Sequence, residues 1–164
     1  MIVVLHTIRS AHNVGSIFRT ADACGAEKIY PVGYTPCPTD RFGRENGTLV
    51  KVALGAERYI PWERIISPAR LVKRLKAKHP GYAVLAIEQS KTSRPYTAVF
   101  ATALRSGKFI LIVGNEITGL PKSVLAACDM VLEIPMYGKK ESLNVAVAFG
   151  IVAFHFVHKG RGII

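Results

Sequence analysis

The chain has 164 residues, enough for one domain with a proper core and too few for two comfortable ones. Nearly half of them are apolar, so the chain can fold, and 22 Lys and Arg against 11 Asp and Glu give a formal charge of +11, which suits a polyanionic partner or simply a soluble basic protein. Three cysteines (Cys24, Cys37, Cys128) without Cys-x-x-Cys spacing argue against a disulfide framework or zinc site and predict reduced thiols in a cytoplasmic protein.

Ile2 to Leu5 is a β-branched run that predicts a buried strand, with no basic segment or cleavage site before it to suggest a secretion signal. His12 to Cys24 carries Ile17, Phe18, Ala21 and Cys24 at helical spacing, and Gly25 stops it. Lys28 to Val32 reads as a second strand. Gly33 to Gly47 is a long loop rich in Gly, Pro and charge, of the kind that is functional or disordered. Thr48 is expected to cap a short helix to Leu54, and Tyr59 and Ile60 to be extended. Ser67-Pro68 signals a helix start, with the helix running to Lys78. Leu71, Val72 and Leu75 take one side of it, and Arg70, Lys73, Arg74, Lys76 and Lys78 cover the rest.

Tyr82 to Ile87 and Phe109 to Val113 look like buried parallel strands. Pro121 to Cys128 reads as a short helix, Met130 to Ile134 as a strand, and the last helix begins near Ser142. The apolar stretch from Leu143 to Val157 is shorter than the roughly 20 residues of a membrane span and contains Asn144, so a buried helix is expected. Strands alternating with helices predict an α/β fold with a mostly parallel sheet flanked by helices.

Three segments carry polar residues that a plain scaffold explains poorly together. In the first, His12 to Asp22, Asn13 and Arg19 lie six residues apart and on different sides of a continuous helix. They meet at one site only if Asn13 lies at or before the cap, a turn that Gly15 would permit. The second, Phe109 to Pro121, runs strand, glycine-bearing loop, helix start. Its Gly114 and Gly119 allow close approach and unusual dihedrals where ligands sit in open α/β sheets. Neither a Gly-x-Gly-x-x-Gly after a strand nor a Walker A pattern is present. In the third, Ile134 to Ala148, Ser142 and Asn144 both favour a helix cap, and the helix that follows has almost no polar face, so a second subunit is one way to cover it.

Together these segments resemble the three signature motifs of the SpoU (TrmH-like) family of SPOUT-class RNA 2′-O-ribose methyltransferases. The motifs are Asn-x-Gly-x-x-x-Arg (Asn13, Gly15, Arg19), Gly-Asn-Glu-x-x-Gly-Leu (Gly114, Asn115, Glu116, Gly119, Leu120) and Ile-Pro-Met with Ser-Leu-Asn-x-x-x-Ala (Ile134, Pro135, Met136, Ser142, Leu143, Asn144, Ala148). The match runs from Ile2 to about His158. It implies a single SPOUT domain over 1–164 with no extra RNA-binding domain and a C-terminal trefoil knot over about 109–158. It implies S-adenosyl-L-methionine as methyl donor, held by Ile87, Gly114, Ile134, Ser142 and Leu143. It implies a homodimer through the C-terminal and first helices, and methyl transfer to a ribose 2′-hydroxyl of tRNA or rRNA.

By the same resemblance the catalytic set is Arg19, Asn13, Glu116, Ser142 and Asn144. An arginine resists deprotonation, so Arg19 is read first as a binder of RNA phosphate and hydroxyl. Glu116 either orients the acceptor or pairs with Arg19. Arg41, Arg44 and Lys51 in the loop, and Lys73 and Arg74 on the helix that runs to Lys78, with Lys76 and Lys78, are candidate phosphate contacts. The aromatics Tyr34, Phe42 and Trp62 suit packing as well as base reading. His155 and His158 lack a third ligand, so no metal is expected. Two rival functions remain: a knotted RNA-binding protein without turnover, and a SPOUT enzyme acting on a base nitrogen. An unrelated small-molecule enzyme is least in keeping with the charge.

Overall fold

A computed structural model of the chain describes residues 1–66, 71–99 and 108–163. Six strands form one sheet: β1 (Ile2–His6), β2 (Lys28–Val32), β3 (Ala83–Ile87), β4 (Arg94–Pro95), β5 (Phe109–Val113) and β6 (Met130–Glu133). Their order is β2-β1-β5-β3-β6-β4, and every pairing is parallel. The five expected strands are present. The sixth, β4, is two residues long, too short for any periodicity to announce it.

Successive residues of a strand face opposite sides, so a continuous apolar run feeds two cores at once. Val3 and Leu5 of β1, Leu85 of β3 and Phe109, Leu111 and Val113 of β5 join the first core. There they meet Val14, Ile17, Phe18 and Ala21 of α1 (Ala11–Ala23) and Phe149, Val152, Ala153 and Phe156 of α6 (Val145–Gly160). The alternate residues Ile2, Val4, Val84, Ala86, Ile110 and Ile112 face the second core. Leu71, Val72 and Leu75 of α4 (Leu71–Lys78) and Val124 of α5 (Lys122–Ala127) cover it. The result is three layers, helices on both faces of the sheet. Among the described residues no helix is long and apolar enough to cross a membrane.

Several local expectations need correction. The cap of α2 (Gly47–Ala53) is Asn46, not Thr48: its side chain accepts from Leu49 N. Tyr59 closes a short helix, α3 (Ala56–Tyr59), and only Ile60 is extended. The expected helix start at Ser67-Pro68, and Arg70, lie outside the described residues. The last helix begins at Val145 with Asn144 as cap, which leaves Ser142 and Leu143 in the loop before it.

The larger correction concerns Asn13. The cap of α1 is Ser10, whose hydroxyl accepts from Asn13 N at 3.2 Å, so Asn13 sits inside the first turn. Gly15 makes no turn. It is helical, and α2 packs against it so closely that a Cβ there would stand 2.5 Å from Leu49 O and 2.9 Å from Val52 Cβ. Backbone cannot yield as a flexible side chain can. Gly15→Ala should therefore cost about 1–3 kcal/mol of stability by overpacking. Gly47→Ala, where a Cβ meets nothing within 4 Å, should shift stability by less than about 1 kcal/mol. Equal urea midpoints for the two variants would mean that Gly15 does not set the spacing of α1 and α2.

Candidate active site

The carboxyl ends of the central strands are in register: Leu5 beside Val113, Val113 beside Ile87, Ile87 beside Leu132. Ligands of open α/β sheets bind beyond such ends. Here a cleft of about 500 Å³ opens there, floored by Ile87, Val113 and Leu132. The volume lies in the roughly 300–1,000 Å³ range of small-molecule sites. Three chain segments and Asn13 of α1 wall it: 87–89 after β3, 113–119 after β5, and the stretch from Leu132 through Ser142 to Ala148.

The segment after β5 is built by its own side chains. Asn115 is buried and uses its whole amide. Its Oδ1 accepts from Ile117 N and Thr118 N, both at 2.9 Å. Its Nδ2 donates to Thr7 O at 2.8 Å and Tyr34 Oη at 2.7 Å. Gly119 adopts φ +65, and Gly114 approaches Gly119 and Leu120 so closely that a Cβ would collide with Leu120 Cγ at 2.7 Å. Gly114 is thus required by the loop folding over its own strand. Glu88 closes the turn from the neighbouring strand: its Oε2 accepts from Leu120 N at 2.7 Å. Glu88 received no role from the sequence; the available signal was a lone acid directly after a buried strand.

A hydrogen-bonded relay joins residues more than a hundred positions apart. Glu116 accepts from Arg9 N at 2.9 Å, Ser10 N at 3.1 Å and Asn13 Nδ2 at 3.0 Å. Asn13 Oδ1 in turn accepts from Asn144 Nδ2 at 3.0 Å, while Asn144 Oδ1 caps α6 through Ala146 N. Burial alone would push the Glu116 carboxyl up. The hydrogen bonds from Arg9, its own backbone, Asn13 and Ser10 outweigh that and hold it below the usual value. It is therefore an anionic acceptor at the N-terminus of α1, where the helix dipole also favours negative charge.

Of the expected catalytic residues, Asn13, Glu116, Ser142 and Asn144 line the cleft. So do all five expected donor contacts, Ile87, Gly114, Ile134, Ser142 and Leu143. Arg19 does not. It is exposed on α1, outside the cleft lining, and among the described residues no ion pair joins it to Glu116. Because Asn13 is helical, six residues rotate Arg19 by about 120° away from it.

Arg41, Arg44, Lys51, Lys73 and Arg74 are all exposed. Arg74 is shared with Glu63 at 3.2 Å, and α4 lies on the sheet face opposite α1 and α6. Trp62 is half-buried and packs against the first core, whereas Tyr34 and Phe42 are exposed. His155 meets Tyr96 edge-on and His158 meets Phe154, so the two rings serve different neighbours.

A family model described as the SpoU rRNA Methylase family matches residues 1–154. The chain is 32% identical over 159 residues to the 23S rRNA (guanosine-2′-O-)-methyltransferase RlmB of Ralstonia nicotianae, covering 97% of this chain and 59% of that protein. It thus spans about three fifths of the length of the curated relatives it matches. Among solved structures it is similar to an AdoMet-bound rRNA methyltransferase from Sinorhizobium meliloti, with TM-score 0.78, 31% identity, and coverage of 96% of this chain and 55% of that one. It is also similar to a structure described by the 2-OH methylation of C/U34 on tRNA, with TM-score 0.75, 27% identity, and coverage of 98% and 96%.

The relay carries a pH signature. A carboxyl held below its ordinary value adds stability in full above that value and loses it as pH falls through the lowered one. Glu116→Gln keeps one acceptor oxygen but turns an NH₂ toward backbone donors. A loss of about 1 kcal/mol at neutral pH is expected, narrowing as both proteins are acidified. Urea unfolding across the acid range measures it, and a gap that stays constant would remove the carboxylate from its anchoring role.

Proposed function

The chain belongs to the SpoU rRNA methylase family, and from that premise we propose that it is an S-adenosylmethionine-dependent RNA methyltransferase acting on a ribose 2′-hydroxyl. One observation carries the reading: the three motif segments converge on a single cleft at the carboxyl edge of a parallel sheet, joined there by the Glu116–Asn13–Asn144 relay.

The cleft suits the methyl donor. Ile87, Leu132, Ile134 and Leu143 offer apolar walls for an aromatic base, and Ser142 and the loop backbone offer polar groups beside them. When bound, the donor supplies an electrophilic methyl on a sulfonium. The work of the chain is then to position the acceptor hydroxyl and exclude competing geometries. Asn13 and Asn144 have fixed amides at the cleft wall, held by Glu116 and by the α6 cap, and orient the ribose. The passage from Phe109 to about His158 is read as the family's trefoil knot on the strength of the family match, with its segments 113–119 and 132–148 lining one cleft.

Arg19 enters from a second copy of the chain. Two observations support this. Arg19 lies outside the cleft of its own chain. It also flanks the seam where Gly150 of α6 approaches Thr20 of α1, beside the exposed apolar stripe of Val147, Ile151 and Phe154. A twofold pairing of α1 and α6 covers that stripe and moves a guanidinium toward the partner cleft, to bind RNA phosphate and the reacting hydroxyl. Arg41, Arg44, Lys51, Lys73 and Arg74 extend the cationic surface for the rest of the RNA. The names of the relatives point to rRNA and to tRNA alike, so both are substrates to test.

Labelled methyl from S-adenosylmethionine is offered separately to bulk tRNA and rRNA, and the modified site is mapped by nuclease resistance. Transfer into one pool, as a 2′-O-methyl, is expected with wild type and lost with Arg19→Ala. A base methyl, or donor binding without transfer to either pool, would favour the rival readings. Mixing inactive Arg19→Ala with inactive Asn144→Ala should restore about a quarter of wild-type activity if subunits exchange freely and Arg19 acts across the twofold. No restoration on verified mixed dimers would return Arg19 to its own chain's site.

A further inference from the structure

We propose that the hairpin at residues 38–46 is a stacking platform for an unpaired base of the RNA, with Phe42 as its aromatic layer and Arg41 and Arg44 as its guanidinium layers. The inference rests on the reading of the chain as an RNA methyltransferase and adds a contact outside the cleft lining.

Phe42 is 68% exposed. A single exposed apolar side chain needs no explanation, but this one is held out by a built turn. Thr39 and Glu45 pair antiparallel, Asn46 N donates to Pro38 O at 2.8 Å, and Asp40 N donates to Arg44 O at 2.9 Å. Asp40 then organises the tip from within. Its Oδ1 accepts from Phe42 N at 2.8 Å and Arg44 N at 3.0 Å, and its Oδ2 accepts from Arg44 Nε at 2.7 Å. Gly43 takes φ +79, which completes the turn. The backbone of Phe42 is thereby fixed while its ring remains in solvent.

Two cations lie over that ring. The guanidinium carbons of Arg41 and Arg44 stand 4.7 and 5.3 Å from its centroid. Planar guanidinium and phenyl groups are the surfaces on which unpaired RNA bases stack, and the same cations attract the flanking phosphates. The Asp40 bond uses Arg44 Nε and leaves its terminal nitrogens for a phosphate. A protein ligand would find one small ring and strong positive charge; an RNA strand finds both things it needs.

The hairpin is also rooted on the cleft side of the sheet. Its root leaves β2 at the carboxyl end of the sheet, where the cleft opens. Buried Thr35 fastens that root, accepting from Ile8 N at 3.0 Å and directing its hydroxyl to Leu5 O and Val32 O. Tyr34 is tied to the cleft residue Asn115.

The test is titration of wild type, Phe42→Ala, Phe42→Trp and Arg41→Gln with the RNA pool that accepts methyl, by fluorescence anisotropy over a salt series. Phe42→Ala should weaken binding by about tenfold with an unchanged salt slope, and Phe42→Trp should restore it. Arg41→Gln should lower the slope by about one. Unfolding temperature and donor affinity should stay at wild-type values in Phe42→Ala, because the ring packs against no core. RNA affinity of Phe42→Ala within about twofold of wild type would overturn the platform. So would a Trp variant as weak as the Ala variant, or a fall in unfolding temperature that accounts for the loss. A wild-type protein that binds and methylates no RNA overturns the function itself, which is distinct from a wild type that works with or without Phe42.

Discussion

The parallel register of β1, β5, β3 and β6 is the constraint on which everything at the cleft depends. Leu5, Val113, Ile87 and Leu132 stand side by side because the ladder fixes them so. A slip of one residue in any strand would send its side chains to the wrong layer. Two filled cores forbid that: Leu111 belongs to the α1 and α6 side and Ile112 to the α4 and α5 side. Burial on both faces therefore does more than stabilise the sheet. It sets the level at which the functional loops emerge, and three of those loops meet only because their strands end together.

Above that edge the polar chemistry is arranged by amides that act at both ends. Asp would cap α6 as well as Asn144 does, but it has no N–H to give Asn13. Ser would bond Glu116 as a donor, but it is too short to span Glu116 and Asn144 together. Asn13 accepts on one side and donates on the other, so each motif's polar residue is the partner that the next motif requires. Asn115 performs the same double duty within one loop, and with all four of its bonds made it is a structural member of the site.

Much of this was legible in the residues. Buried parallel strands announce themselves as short apolar runs, and the helix cores as 3.6-residue spacing, so β1, β2, β3, β5, β6 and the buried side of α4 were recoverable. Part of the cleft lining, Asn13, Gly114, Glu116, Ile134, Ser142, Leu143 and Asn144, lies in the three motif segments, whereas Glu88, Gln89 and Glu133 do not. What failed was the local reading of single residues. Gly15 is compatible with a turn in the sequence because glycine has two uses, unusual dihedrals and close approach, and only the neighbour α2 decides between them. With Asn13 inside the first turn of α1, the condition for Asn13 and Arg19 to meet within one chain is not fulfilled. Glu88 went unseen because its partner, Leu120 N, lies 32 positions away and a backbone donor leaves no mark in a sequence. Phe42 was ambiguous for the opposite reason: an aromatic in a polar loop either packs or projects, and its exposure is a property of the fold.

The distribution of charge has a logic that net charge conceals. Glu88, Glu116 and Glu133 line the cleft of a basic protein that is read as binding a polyanion. Unoccupied, they would repel phosphate. Each instead holds a donor: Leu120 N and Gln89 N on Glu88, the start of α1 and Asn13 on Glu116, Ser93 Oγ on Glu133. The acids thus serve as fasteners for the walls, in a place where donors cluster because strands end and helices begin. Positive charge lies elsewhere, on exposed Arg19 and on Arg41 and Arg44 of the 38–46 hairpin, where Asp40 holds Arg44 through its Nε. A strand drawn in by such cations reaches a cleft whose carboxylates already accept from backbone N–H groups, the Asn13 amide or the Ser93 hydroxyl, so the local repulsion is reduced where the ribose must approach most closely.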